Sequence, residues 1–116
     1  MFNNSKLVYS DMIMPTFLPI SITQKAYEEI SNIINNKNIP KDYGLRIGIS
    51  GGGCSGVSYI LGFDKKGKTD DEYKFRDIVI FMDKKHAMFV MGLEIDFEDN
   101  AEQRGFTFNS PDLKNQ

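Results

Sequence analysis

One cysteine, one histidine, no tryptophan and four prolines stand among 116 residues. A single cysteine excludes an intrachain disulfide and fits a reducing compartment. Structural zinc takes four ligands from Cys, His or carboxylate, and Cys54 with His86 cannot supply a convincing set. His86 therefore reads as a surface or partly packed histidine. Nothing in the spacing ties it to Cys54 as base to nucleophile, so no catalytic residue is assigned. Charge of one sign is also lacking: 14 Lys and Arg against 16 Asp and Glu leave a net charge of −2. That is no electrostatic footprint for nucleic acid. Lys65-Lys66 and Lys84-Lys85 are isolated pairs, the first followed by Asp70-Asp71-Glu72, and both pairs read as solvated surface. No apolar run approaches the ~18 residues of a membrane span, and the N-terminus lacks the charged-then-apolar pattern of a signal peptide. The expectation is a soluble, cytoplasmic protein with neither nucleic acid nor membrane as partner.

What the chain does have is glycine around its cysteine. Gly51, Gly52, Gly53 and Gly56 surround Cys54 and Ser55. Each glycine held in one conformation costs roughly 0.5–1 kcal/mol relative to alanine, so four together point to positive φ or close backbone approach. Leu45, Ile47 and Ile49 alternate with Arg46, Gly48 and Ser50 before the loop, and Val57 to Phe63 follows it with β-branched and aromatic residues. Both flanks read as strands. Gly51, Gly53 and Gly56 satisfy G-x-G-x-x-G, but the dinucleotide fingerprint needs a helix opening at the loop. None is predicted there, and no Gly-Lys-Ser/Thr follows. Two readings stay open on these residues: a thiol presented at a loop tip, or a hairpin turn with an inert cysteine.

The remaining segments build one domain around that hairpin. Residues 1–19 show no sustained period and read as an extension, with Leu7-Val8-Tyr9 as a candidate edge strand. Thr23 is a candidate N-cap for a helix to residue 35, whose Ala26, Tyr27, Ile30, Ile33 and Ile34 share a face. Pro40 blocks its continuation. A polar turn spans Asp64 to Asp71, and beyond it Tyr73 and Phe75 alternate with charged residues. Ile78-Val79-Ile80-Phe81 predicts a strand buried on both faces. Asp83 caps a short helix, Lys84 to Met91, ended by Gly92; its Ala87, Met88 and Met91 read as core packing. Leu93, Ile95 and Phe97 predict a strand whose outer face carries Asp96 and the neighbouring acids Glu98 and Asp99. Phe106 and Phe108 predict another. The fold class is α+β, with about six short strands and two helices.

This ordered series resembles the A-type iron–sulfur carrier family (HesB/IscA-like). The likeness runs from the helix at 23–35 through Gly44-Leu45-Arg46-Ile47, Gly53-Cys54-Ser55-Gly56-Val57-Ser58-Tyr59 and Ile78–Asp83. It continues through the short helix to Gly92 and Leu93–Phe97, and closes with Gly105-Phe106-Thr107-Phe108 and Pro111-Asp112, similar to the family's G-F-x-F-x-N-P-N. Residues 20–113 would form the HesB/IscA-like domain, with 114–116 as a tail.

The resemblance implies a compact, mostly β fold with flanking helices, assembled as a homodimer or homotetramer. Members receive, hold and pass on iron or a [2Fe–2S] or [4Fe–4S] cluster, working with iron–sulfur assembly and recipient proteins as carriers and not as enzymes. Cys54 matches the first of three cluster-binding cysteines, making it the metal and cofactor ligand, with Gly51, Gly52, Gly53, Ser55 and Gly56 shaping its loop. The other two form a C-G-C motif, about where this sequence reads Leu113-Lys114-Asn115-Gln116. The expectation is that Cys54 is shared between subunits. Two other readings accompany it: a relative that binds no metal and serves as an adaptor or structural subunit, and a thiol-redox protein whose loop N–H groups stabilise the Cys54 thiolate.

Overall fold

Thr23 opens the architecture much as its sequence position predicts. A computed structural model describes residues 17–51 and 56–110. In it the Thr23 hydroxyl accepts from the Ala26 N–H and donates to Asp96 at 2.6 Å. Helix α1 (Gln24–Asn36) follows, after a two-residue strand β1 (Ser21–Ile22) that is too short to leave a sequence period. Ala26 and Ile30 are fully buried, which places the apolar face of α1 on the sheets. Helices this short draw their stability from such packing.

Two sheets share the core. One holds β2 (Tyr43–Gly51), β3 (Val57–Lys65), β4 (Asp70–Phe75) and β5 (Ile78–Asp83), in the order β3-β2-β5-β4. The other holds β1, β6 (Glu94–Asp99) and β7 (Arg104–Asn109), in the order β1-β6-β7. Leu45, Ile47 and Ile80 from the first sheet meet Ile95 from the second, all with negligible exposure. Each such side chain contributes about 1.5–3 kcal/mol on leaving water. The six expected strands are present, and β1 makes a seventh. Strand β5 is buried on both faces as its composition predicts: Ile78, Ile80 and Met82 on one, Phe81 on the other.

Three expectations are corrected. The helix read over Lys84 to Met91 is a 3₁₀ turn (Lys84–His86) followed by a single α turn, α2 (Ala87–Val90). Asp83 still caps it, accepting from the Lys85 N–H, and Gly92 still ends it at φ 81°. Val90 enters the core and Ala87 packs against it as expected, while Met88 and Met91, at the other positions of that turn, face outward. The polar turn read over Asp64 to Asp71 is shorter, since β3 runs to Lys65 and β4 begins at Asp70, and Asp70 is buried: Arg46 grips both its oxygens at 2.8 and 2.6 Å, and the Gly67 N–H donates at 2.6 Å. Asp96, read as an outer-face acid, is half-buried as the acceptor for Thr23. Arg46 and the Gly67 N–H hold the Asp70 carboxyl below the ordinary aspartate range, and Thr23 does the same for Asp96. The candidate strand at Leu7-Val8-Tyr9 lies outside the described residues.

Candidate functional site: the cysteine hairpin

The β2–β3 hairpin is the longest paired structure in the fold. Nine antiparallel pairs run from Tyr43↔Lys65 to Gly51↔Val57 without a break. A strand therefore follows the glycine loop, and no helix N-terminus is available there to receive a dinucleotide phosphate. At the end of the ladder Gly51 has φ 82° and Gly56 has φ 83°. Both sit in the left-handed region where a Cβ is penalised, which is the sequence expectation met at these two positions. A Cβ on Gly51 would also lie 3.4 Å from the Gly56 carbonyl oxygen. Gly52, Gly53, Cys54 and Ser55 lie outside the described residues.

Two side chains from distant segments brace the hairpin near its end. The first is His86. Pairing of β2 with β5 is confined to Leu45↔Ile80 and Arg46↔Phe81. Beyond it the 3₁₀ turn brings His86 Nδ1 to 3.4 Å from the Ile49 backbone N–H, a long hydrogen bond in which the ring accepts. An accepting Nδ1 fits the imidazole tautomer with its proton on Nε2. Only glycine at position 48 permits this approach, because a Cβ there would meet Nδ1 at 2.7 Å. Asp83 sets up the turn: the Lys85 N–H holds its carboxyl below the usual range, aided by Thr69.

The second brace is Phe108. Tyr59, opposite Ile49 in the ladder, packs its ring 5.6 Å from that of Phe108 on β7. The contact joins the two sheets beside the hairpin end. It also brings β7 alongside the end of the β2–β3 ladder.

Residue types alone did not reveal either brace. Gly48 inside an alternating strand was the available signal for the first, since a mid-strand glycine marks close approach by something else. Among the described residues no three His, Cys, Asp or Glu side chains cluster as a metal site, and no helix is long and apolar enough to cross a membrane.

Comparison with known proteins bears on this arrangement. The family model described as iron–sulphur cluster biosynthesis matches residues 18–116. The iron-binding protein IscA of Yersinia enterocolitica is 35% identical over 101 residues, covering 85% of this chain and 92% of the relative. The mitochondrial iron–sulfur cluster assembly 1 homolog of Mus musculus is 31% identical over 103 residues, covering 88% and 78%. The crystal structure of Escherichia coli SufA superposes with a TM-score of 0.70 at 24% identity, covering 87% of this chain and 88% of SufA. A structure of IscA with a [2Fe–2S] cluster gives 0.67 at 20% identity, covering 79% and 85%. At those identities the two superpositions speak for the fold, the mostly β architecture expected from the sequence. The chain belongs to the iron–sulphur cluster biosynthesis family.

Proposed function

We propose that this chain holds iron or an iron–sulfur cluster as cargo during cluster assembly, with Cys54 as its thiolate ligand. The observation that carries the reading is the pair of positive-φ glycines, Gly51 and Gly56, bracketing the segment with the chain's one cysteine in a member of this family. A thiolate is the natural donor for iron and for cluster sulfide chemistry. Binding exchanges the thiol proton for the metal, so uptake falls as pH drops.

One thiolate per chain sets the assembly. A cluster takes about four thiolates or their replacements. Two copies offer two Cys54 sulfurs and four copies offer four, the remainder coming from a small thiol or the recipient. Such incomplete ligation suits a carrier, because a weakly held cargo is released to a site with a full ligand set. The chain acts here as a cytoplasmic homodimer or homotetramer serving assembly and recipient proteins, not as an enzyme.

The test is anaerobic reconstitution with ferrous iron and sulfide, with and without glutathione. Charge-transfer absorption in the visible, absent in Cys54→Ser, is expected. A colourless protein under both conditions sinks the reading. The single cysteine favours one other reading, an adaptor that carries no metal. For it, Cys54→Ser would retain full binding to assembly partners while wild type stays colourless.

A further inference from the structure

The chain holds one histidine, and its ring stands where a strand would otherwise pair. Strand β5 runs beside β2 only at Leu45↔Ile80 and Arg46↔Phe81. Three positions farther along β2, the Ile49 N–H donates to His86 Nδ1, a side chain in place of a strand carbonyl. Nδ1 is also the ring atom nearest Gly48. A Cβ added there would meet it at 2.7 Å, against 3.5 Å for Cε1 and 3.8 Å for Cγ. The nitrogen that accepts is thus the one pressed against the strand. It can accept only while it carries no proton. The neutral tautomer already has its proton on Nε2, so the next one can only go to Nδ1. The imidazolium would then point an N–H at the Ile49 N–H, donor against donor.

We propose that His86 is a proton-operated clamp on the cysteine hairpin: neutral, its Nδ1 holds β2 at Ile49, and protonated it lets go. Histidine is the side chain whose charge ordinarily changes between pH 5 and 8. The elements packed around it bring few charges. Strand β2 presents Gly48 and Ile49, and α2 runs from Ala87 to Val90, all uncharged. At the 3₁₀ turn, Asp83 is the carboxylate that attracts a charged ring, and the Lys85 N–H with Thr69 keeps it ionised, below the usual range. Lys85 places its ammonium 3.9 Å from the same carboxylate, and Lys84, paired with Asp71 from β4, is held in its charged form. Asp83 favours the imidazolium and the two lysines oppose it. Neither influence changes which atom takes the proton. Ile49 lies two positions before Gly51, so release acts at the base of the hairpin. The clamp operates whether or not the loop carries cargo.

The test is hydrogen exchange on the full, metal-free chain between pH 8 and pH 5, followed by NMR and corrected for intrinsic exchange rates. Protection of the Ile49 amide is expected to fall about fivefold toward the lower pH, the scale of one net hydrogen bond. Its midpoint should coincide with the titration of the His86 ring protons, which a single histidine makes unambiguous. Amides of the β6–β7 ladder should keep their protection. In His86→Ala, the Ile49 amide should show the weaker protection at both ends of the range. Protection in wild type that ignores pH, or that changes at a midpoint other than the ring's, overturns the proposal. So does an unchanged pH dependence in His86→Ala, which would place the switch in another group.

Discussion

The rings of Tyr59 and Phe108 lie 5.6 Å apart, tilted by 31°, and join the end of the cysteine hairpin to the last strand of the other sheet. Aromatic pairs of this kind contribute about 0.5–1.5 kcal/mol beyond their buried area. A double-mutant cycle with Tyr59→Leu and Phe108→Leu, read by urea unfolding, is expected to give a coupling energy in that range. Additive losses would mean that the hairpin stands without this contact.

Asp70 is expected to make stability pH-dependent on the acid side. Arg46 favours its ionised form, so the folded carboxyl titrates below the unfolded value of about 3.9. Around that pH the unfolded chain binds more protons than the folded one, and stability rises with pH. The contribution is complete above the unfolded pKa and is lost as pH falls through the folded one. Asp70→Asn should cost about 2–4 kcal/mol at pH 7, since it leaves a largely buried guanidinium facing an amide. Urea midpoints at pH 3, 4, 5 and 7 should bring variant and wild type together toward acid. A constant gap across that range would assign the loss to packing.

Gly48 and His86 form a pair in which one residue's missing side chain admits the other. Gly48→Ala is expected to cost about 1–3 kcal/mol, as overpacking against a ring does, and to displace the imidazole. His86→Ala should cost about 0.5–1.5 kcal/mol through the lost contact with Ile49. The double variant should be no worse than His86→Ala, because the added methyl then occupies space that the ring has left. Thermal midpoints of the four proteins decide the matter, and a double variant as unstable as the sum would refute the pairing.

Gly56 and Gly62 separate conformational need from spatial need. A Cβ on either meets nothing within 4 Å, yet only Gly56 has positive φ. Gly56→Ala should therefore destabilise by about 1–2 kcal/mol through backbone strain alone. Gly62→Ala, in extended strand, should be neutral or stabilise by up to about 1 kcal/mol. Equal losses at both positions would mean that loop geometry does not depend on glycine.

Much of the fold was legible because its signals are local. Alternation located β2, β4, β6 and β7, β-branched and aromatic content located β3, and a continuous apolar run located β5; the Thr23 cap placed the start of α1, Asp83 that of the 3₁₀ turn, and Gly92 an end. Glycine crowding singled out the cysteine loop, and Gly51 and Gly56 adopt the φ values it required. Periodicity reports which residues share a face. It does not report what that face meets.

The sequence by itself determined most of the strand faces, the caps and the glycine setting of the one cysteine, because each depends on residues a few positions apart. Only the tertiary structure decided that Asp70 is buried under Arg46 from 24 positions away, and that His86 closes on Gly48. It alone set Phe108 against Tyr59 and turned Met88 and Met91 outward. Those outcomes follow from which elements cover one another. Docking a two-residue strand and ending a parallel ladder after two pairs are long-range events, and they leave no period in the chain.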